Sequence, residues 1–219
     1  MKTVFITGVS RGIGLATAKK FLAEGWSVIG TSTSGEAPID SDNVKILKLD
    51  LSISESVKST VKDVKTLVNN IDVLINNAGA LLDGDDEVLD VAKLKKTLNV
   101  NLVGTVDLTE QLLAVIRNGG HVINIGSMSA VFSGSLSDFD APAYRISKAA
   151  INMYTKTLAE RLKSYGVTVS SIDPGWVRTD MGGDGATRKT EDAARDIYSL
   201  ATSKVETGHF WLEGKIRNW

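Results

Sequence analysis

Short apolar runs rich in valine and isoleucine recur along the chain, separated by longer stretches whose apolar positions follow a helical period. The runs predict strands at Thr3 to Thr7, Ser27 to Thr31, Lys45 to Leu49, Val73 to Asn76, His121 to Ile125 and Thr168 to Ile172, with a short last one at His209 to Leu212. Most are continuous rather than alternating, the pattern of parallel strands covered on both faces. Between them, Ser52 and Glu55 have the spacing of a capping box and predict a helix through Leu67. Leu102 to Arg117 reads as a second helix. A longer one, Ala143 to Tyr165, has Pro142 at its start and Gly166 just past its end. The order βαβαβ, given twice, predicts an α/β fold: a single doubly wound parallel-sheet Rossmann domain over residues 1–219, seven strands with helices on both faces. In such sheets ligands bind beyond the carboxyl ends of the strands, where the strand order reverses.

Composition narrows the chemistry. The 219 residues carry a net charge of -1, which gives no electrostatic case for nucleic acid or an anionic membrane as partner. The absence of cysteine excludes disulfides and thiolate chemistry, and with two histidines it leaves no plausible catalytic zinc set. His121 reads as a strand residue and His209 as a surface position. No apolar stretch approaches the ~20 residues of a membrane span. The first residues run from a strand pattern straight into a glycine turn rather than through a signal peptide, so the expected setting is the cytoplasm.

That turn, TGVSRGIG, spaces Gly8, Gly12 and Gly14 as G-x-x-x-G-x-G between the first strand and a helical segment. Glycine costs entropy wherever it is fixed, so the cluster needs a reason. One is a pyrophosphate approached closely by free backbone N–H groups at a helix start; the other is simply a tight β-α turn. For a nicotinamide dinucleotide, NAD preference calls for an acid at the end of the second strand. Here Thr31 to Ser34 are neutral hydroxyl residues, and no acid precedes Glu36. Arg11 is either a partner for a 2′-phosphate or a solvated surface charge. The combination favours NADP(H).

Further on, Tyr144 and Lys148 are four residues apart and share a helix face. A tyrosine transfers protons poorly near neutrality unless its phenolate is stabilised, which a lysine one turn away would do. Ser127 ends the His121 to Ile125 strand region on the ligand side, where a hydroxyl can donate to a carbonyl oxygen that gains charge. Ser129 competes for that role, and either serine could instead be a cap or turn residue.

In order and spacing, TGVSRGIG, Asp50-Leu51, NNAG at 76–79, NVN around Asn101, NIGS ending at Ser127, YRISK at 144–148 and PGWVRT at 174–179 resemble the short-chain dehydrogenase/reductases over nearly the whole chain. The resemblance implies NADP(H) as cofactor and a catalytic set of Asn101, Ser127, Tyr144 and Lys148. Tyr144 would protonate the carbonyl oxygen, Ser127 would hold it, and Lys148 would bind the nicotinamide ribose and lower the Tyr144 pKa. Asn101 would hold a water linking Lys148 to solvent. Gly8, Ser10, Arg11, Gly12, Ile13 and Gly14 would cradle the cofactor, with Thr33 beside the 2′-phosphate. Asp50 and Leu51 would meet the adenine, and the Asp50 carboxylate could also cap the following helix. Asn77, Ala78 and Gly79 would line the cofactor, and Pro174, Gly175, Val177 and Thr179 its carboxamide end.

The segment after Thr179 is short, so the family's substrate-covering lid is expected to be reduced, with Gly182 to Thr190 a polar loop. Met128, Phe139, Trp176 and Met181 are either pocket walls or ordinary packing. The expected activity is NADPH-dependent reduction of a small aldehyde or ketone. The rivals are a 3-oxoacyl-carrier-protein reductase, which needs a basic site mouth (Arg145 and Arg178 are available), and a non-catalytic NADP(H)-binding sensor. Leu108, Leu112 and Ile116, and Ile151, Tyr154 and Leu158, repeat at helical spacing and suggest a second apolar face on each long helix. By the family resemblance that face would pair in a homodimer, or in a homotetramer that also uses the last strand near Phe210 and Trp211; the alternative is that these residues are all core on one wide helix stripe.

Overall fold

The computed structural model describes residues 1–84, 86–132 and 140–219; Phe139 lies outside them. Its strands are β1 (Thr3–Ile6), β2 (Ser27–Ser32), β3 (Val44–Lys48), β4 (Ile71–Asn76), β5 (Ile116–Ile125), β6 (Thr168–Asp173), β7 (His209–Leu212) and β8 (Lys215–Arg217). The helices are α1 (Gly12–Ala23), α2 (Ser54–Leu67), α3 (Val91–Leu98), α4 (Thr105–Leu112), α5 (Pro142–Leu162) and α6 (Thr190–Thr202). They form one sheet in the order β3-β2-β1-β4-β5-β6-β7-β8, parallel except for the last pair. The strand order reverses between β1 and β4, so the ligand end of the sheet lies beyond those two strands.

Neighbouring residues on each strand serve opposite layers. Phe5, Leu74, Val122 and Val169 pack with Val57, Val61 and Val64 of α2, Leu108 and Leu112 of α4, and Leu158 of α5. Val4, Ile6, Ile75, Ile123 and Ile172 face the other way, against Phe21 of α1 and Ile197 of α6. Within the first layer the Asn76 amide donates to Thr109 Oγ1 and Asn124 Oδ1, both at 2.8 Å, and Asn124 donates to Thr155 Oγ1 at 2.8 Å. These buried bonds tie β4 and β5 to α4 and α5 at fixed depth.

Four expectations need correction. The sheet has eight strands, not seven. The added β8 is three exposed residues with one apolar side chain, too short to show a period. Its signal is the turn Glu213-Gly214, both at positive φ (49° and 73°), as a two-residue hairpin loop requires. The helix read over Leu102 to Arg117 is instead a π-helical turn at Asn99–Gly104, then α4, then a 3₁₀ turn at Leu113–Val115. Ile116 already pairs with Ile71 in the sheet, so its place in the helical repeat was coincidental. The Ser52–Glu55 capping box does not form. Ser52 instead donates through its amide and hydroxyl to Asp50 Oδ1, and α2 starts at Ser54 without a side-chain cap.

The fourth correction concerns the surface. Leu108, Leu112, Ile151 and Leu158 are all buried within this one chain, and Tyr154 turns its hydroxyl to Glu110, which also pairs with Arg161. Phe210 is buried under the stacked ring of Trp219, at 5.5 Å between centroids, and β8 covers the edge of β7. Of the residues named as interface, Leu108, Leu112, Ile151, Leu158 and Phe210 are core, while Ile116, Tyr154 and Trp211 are half-buried. Among the described residues no helix is long and apolar enough to cross a membrane.

His121 lies inside the sheet with Nε2 at 2.9 Å from Ser170 Oγ. Burial lowers its pKa from 6.5 to about 4. Because the folded value lies below the unfolded one, the unfolded chain binds the extra proton, and stability is lost as pH falls from about 6.5 towards 4. That difference corresponds to about 3 kcal/mol. Urea unfolding across this range should show a loss of that order in the wild type relative to His121→Gln, which removes the titrating group.

Candidate active site

The glycine turn follows β1 directly. Gly8 and Gly12 take positive φ (74° and 58°), a conformation open to glycine at little cost. Gly14 answers to space instead: a Cβ there would stand 2.1 Å from the Gly8 carbonyl oxygen and 2.4 Å from Asn77 Nδ2. The reason is a stitch between two loops. Asn77 Nδ2 donates to the carbonyls of Thr7 (2.8 Å) and Gly8 (3.1 Å), while Thr7 Oγ1 accepts the amides of Asn77 and Ala78 at 2.9 Å each. The Thr7 hydroxyl is thus a structural partner of the NNAG loop.

Beyond these loops opens a cleft of about 1470 Å³. Its walls bring together Gly8, Ser10, Arg11, Gly12, Ile13 and Gly14, then Thr33, Asp50, Leu51, Asn77 to Gly79, and Pro174 to Thr179. Ser127, Tyr144 and Lys148 line it as well. At the second strand end, Ser32 is turned inward: its hydroxyl accepts the amides of Gly35 and Glu36 and donates to the Glu36 carbonyl. Of the expected phosphate donors there, Thr33 is the exposed one that lines the cleft. Arg11 is exposed and its Nε lies 3.2 Å from the Asp180 carboxylate, a partner the sequence did not suggest.

At the other end, α5 carries Tyr144 and Lys148. The Lys148 ammonium is buried, donates to the Ile125 carbonyl at 2.7 Å, and stands 5.5 Å from the Tyr144 ring centroid. Burial lowers its pKa to about 8, against an upward pull from Asp173. Tyr144 goes the other way: burial, then the Asp173 charge, push it up to about 12, and the Ser127 hydroxyl draws it only partly back. The Tyr144 pKa is therefore raised in this structure where a lowering by Lys148 was expected, with desolvation the largest cause. Such a phenol is held in its acid form.

Asn101 sits in the π-helical turn and does not line the cleft. Its Oδ1 accepts the Ala80 amide at 2.7 Å, and its Nδ2 donates to the Ala80 carbonyl and to Ser147 Oγ at 2.9 and 3.0 Å. The side chain thus ties the loop after β4 to α5. Gly104 closes the same turn against Leu51, whose carbonyl oxygen would lie 1.9 Å from a Cβ. The Ser129 amide donates to Ser127 Oγ at 3.1 Å, and Ser129 lines the cleft as well. The 182–190 stretch is pinned down by Trp176 Nε1 on the Gly182 carbonyl and Arg178 Nε on the Ala186 carbonyl, at 2.8 and 2.7 Å. Asp173 was missed; an acid ending an otherwise uncharged strand just before Pro-Gly was its available signal.

A family model for short chain dehydrogenase matches residues 2–190. The chain belongs to the short-chain dehydrogenase family. The 3-oxoacyl-acyl-carrier-protein reductase FabG of Vibrio harveyi is 34% identical over 193 residues, 82% of this chain and 75% of the relative. Among solved structures, the proposed carbonyl reductase Sniffer of Caenorhabditis elegans superposes with a TM-score of 0.87 at 29% identity, covering 100% of both chains. A short chain dehydrogenase from Burkholderia cenocepacia J2315, in complex with NADP, gives 0.83 at 26% over 96% of this chain and 95% of its own.

For this dehydrogenase the Gly14 contact yields a sharp expectation. Both atoms facing the absent Cβ belong to the stitched loops and neither can retreat without breaking a bond. Gly14→Ala should therefore destabilise by about 2 kcal/mol or more, the range of overpacked cores. A thermal melt without cofactor measures it, and an unchanged midpoint would contradict the packing argument.

Proposed function

We propose that this chain is an NADP(H)-dependent oxidoreductase that reduces a small aldehyde or ketone to an alcohol. The observation that carries the reading is that Ser127, Tyr144 and Lys148 converge on the same cleft as the glycine turn. The cleft suits the dinucleotide: Gly12 leaves room where a Cβ would meet Thr179 at 3.3 Å, and open space runs from Thr33 past Asn77 to Pro174. Gly8, Ser10, Arg11, Gly12, Ile13 and Gly14 would hold its phosphates, Thr33 and Arg11 the 2′-phosphate, and Asp50 and Leu51 the adenine. Asn77, Ala78, Gly79, Lys148, Pro174, Gly175, Val177 and Thr179 would enclose the nicotinamide half.

When bound, the nicotinamide supplies a hydride to the carbonyl carbon. Ser127, whose oxygen accepts the Ser129 amide, would donate its hydroxyl hydrogen to the carbonyl oxygen. Tyr144, kept protonated by its surroundings, delivers the proton from its phenol oxygen as charge develops there. Lys148 holds the ribose hydroxyls and places positive charge beside the phenol. Asn101 sets the distance between the loop after β4 and α5; its relay to solvent belongs to the same proposal.

The Vibrio relative favours a second reading, reduction of 3-oxoacyl groups on a carrier protein. Against it, Arg145 is paired with Asp140 at 2.6 Å, which leaves Arg178, bonded through Nε to the neutral Ala186 carbonyl, as the uncompensated one of the two candidate charges among the described residues. The assembly we propose is a homodimer. Its support is a strip on the outer side of α5 and the turn before α4, where Ile146, Met153 and Val103 are exposed.

Three measurements test the proposal. NADPH should bind at least about tenfold more tightly than NADH, about 1.4 kcal/mol, and Arg11→Ala should remove most of that difference; equal affinities would refute the cofactor assignment. Tyr144→Phe should lower kcat on a carbonyl panel by orders of magnitude while NADPH affinity stays nearly intact. In the wild type, kcat/KM for reduction should decline as pH rises through about 8, where free-enzyme Lys148 loses its charge, and a flat profile from pH 6 to 10 would exclude that role.

A further inference from the structure

Among the described residues, Asp173 is a buried charged group of the cleft to which the proposed reaction assigns no part. It ends β6, is 7% exposed, and lines the cleft with Ser127, Tyr144 and Lys148. A carboxylate so placed is costly unless its oxygens are satisfied. Both are. Oδ2 accepts the Met128 amide at 2.8 Å and Oδ1 accepts the Gly175 amide at 2.7 Å.

The position of these bonds matters more than their number. The Gly126 amide donates to the Ile172 carbonyl at 2.8 Å, and backbone pairing between β5 and β6 goes no further in that direction. One residue on, the Asp173 side chain takes over and holds the chain leaving β5 to the chain leaving β6. Met128 opens the 3₁₀ turn Met128–Ala130, and the next amide, Ser129, is the one that engages Ser127 Oγ. The hydroxyl is thus oriented by a turn whose first amide is anchored on Asp173. On the far side, Gly175 takes φ 78° and Arg188 Nη1 holds the Pro174 carbonyl at 2.8 Å, so the second anchor is itself braced. Hydrogen bonds to an ionised carboxylate are among the stronger ones, which suits a fixed spacer.

We propose that Asp173 is a positioning residue that orients Ser127 towards the substrate carbonyl and holds it in register with the Pro174–Gly175 turn. The assignment rests on reading the site as that of a carbonyl reductase. Asp173 touches neither substrate nor hydride; it acts through the Met128 amide.

The Met128 amide can be removed without touching the anion. Ser127 is extended (φ -164°, ψ 142°), the conformation favoured before proline, and Met128 is the first residue of a helical turn, where proline is tolerated. Met128→Pro is compared with Met128→Ala, so both variants lack the methionine side chain and only one lacks the N–H. In NADPH-dependent reduction, kcat of Met128→Pro should be at least about tenfold below that of Met128→Ala, with NADPH dissociation constants within about threefold. Asp173→Asn, which has one side-chain oxygen for two amides, should lower kcat similarly and covers the case in which the proline variant does not fold. Equal kcat for the two Met128 variants overturns the proposal even if Asp173→Asn is slow, because the charge and not the bond would then be responsible. A loss confined to NADPH affinity overturns it as well. Wild-type protein that reduces no carbonyl defeats the reading of the site, whereas active wild type with indifferent variants defeats the role of Asp173 alone.

Discussion

The hydrogen bonds from Asn77 to the Thr7 and Gly8 carbonyls join the loop after β4 to the turn after β1. Much of the cleft depends on that contact. It lies where the strand order reverses, so it sets how far the crevice opens and where the amides of the glycine turn point. Gly14 exists for it, since no side chain fits between the Gly8 carbonyl and the Asn77 amide. The same loop continues through Gly79 to Ala80, which Asn101 grips by both backbone groups before reaching Ser147 on α5. A chain of short polar contacts thus runs from the glycine turn to α5, each link between segments that are distant in sequence.

The electrostatics of the catalytic end are a contest between burial and charge. Lys148 and Tyr144 are both desolvated, which moves an ammonium down and a phenol up. Asp173 opposes the first shift and reinforces the second. Burial is the larger cause for both groups. It also explains why a tyrosine and a lysine on one helix face do not by themselves make a low-pKa phenol.

The outer surface shows a different economy of apolar residues. Leu108 and Leu112 meet Leu158 in the same core layer, between the helices and the sheet, which leaves Val103, Ile146 and Met153 as the exposed apolar positions of these helices. At the far edge of the sheet, β8 and Trp219 fold back over β7 and Phe210. β7 therefore does not offer its backbone for further pairing, and the short, exposed β8 is the edge strand instead.

Seven strands, their parallel arrangement and the positions of the glycine turn, Tyr144 and Lys148 along one cleft were legible in the sequence, because continuous apolar runs and short spacings are local properties that survive without neighbours. The capping spacing at Ser52 was local too, yet it lost to Asp50, which captures the serine first. The repeat at Leu108, Leu112 and Ile116 looked helical to its end, but pairing of Ile116 with Ile71 on β4 claimed the last member for the sheet. Side-chain pairs made between distant loops left no period to read: Arg11 with Asp180, Asn101 with Ala80 and Ser147, and Asp173 with the Met128 amide. Which groups would be buried, and so which way Tyr144 and Lys148 would shift, was decided only in the folded chain, because desolvation is set by everything that packs around a group and not by the residues beside it in sequence.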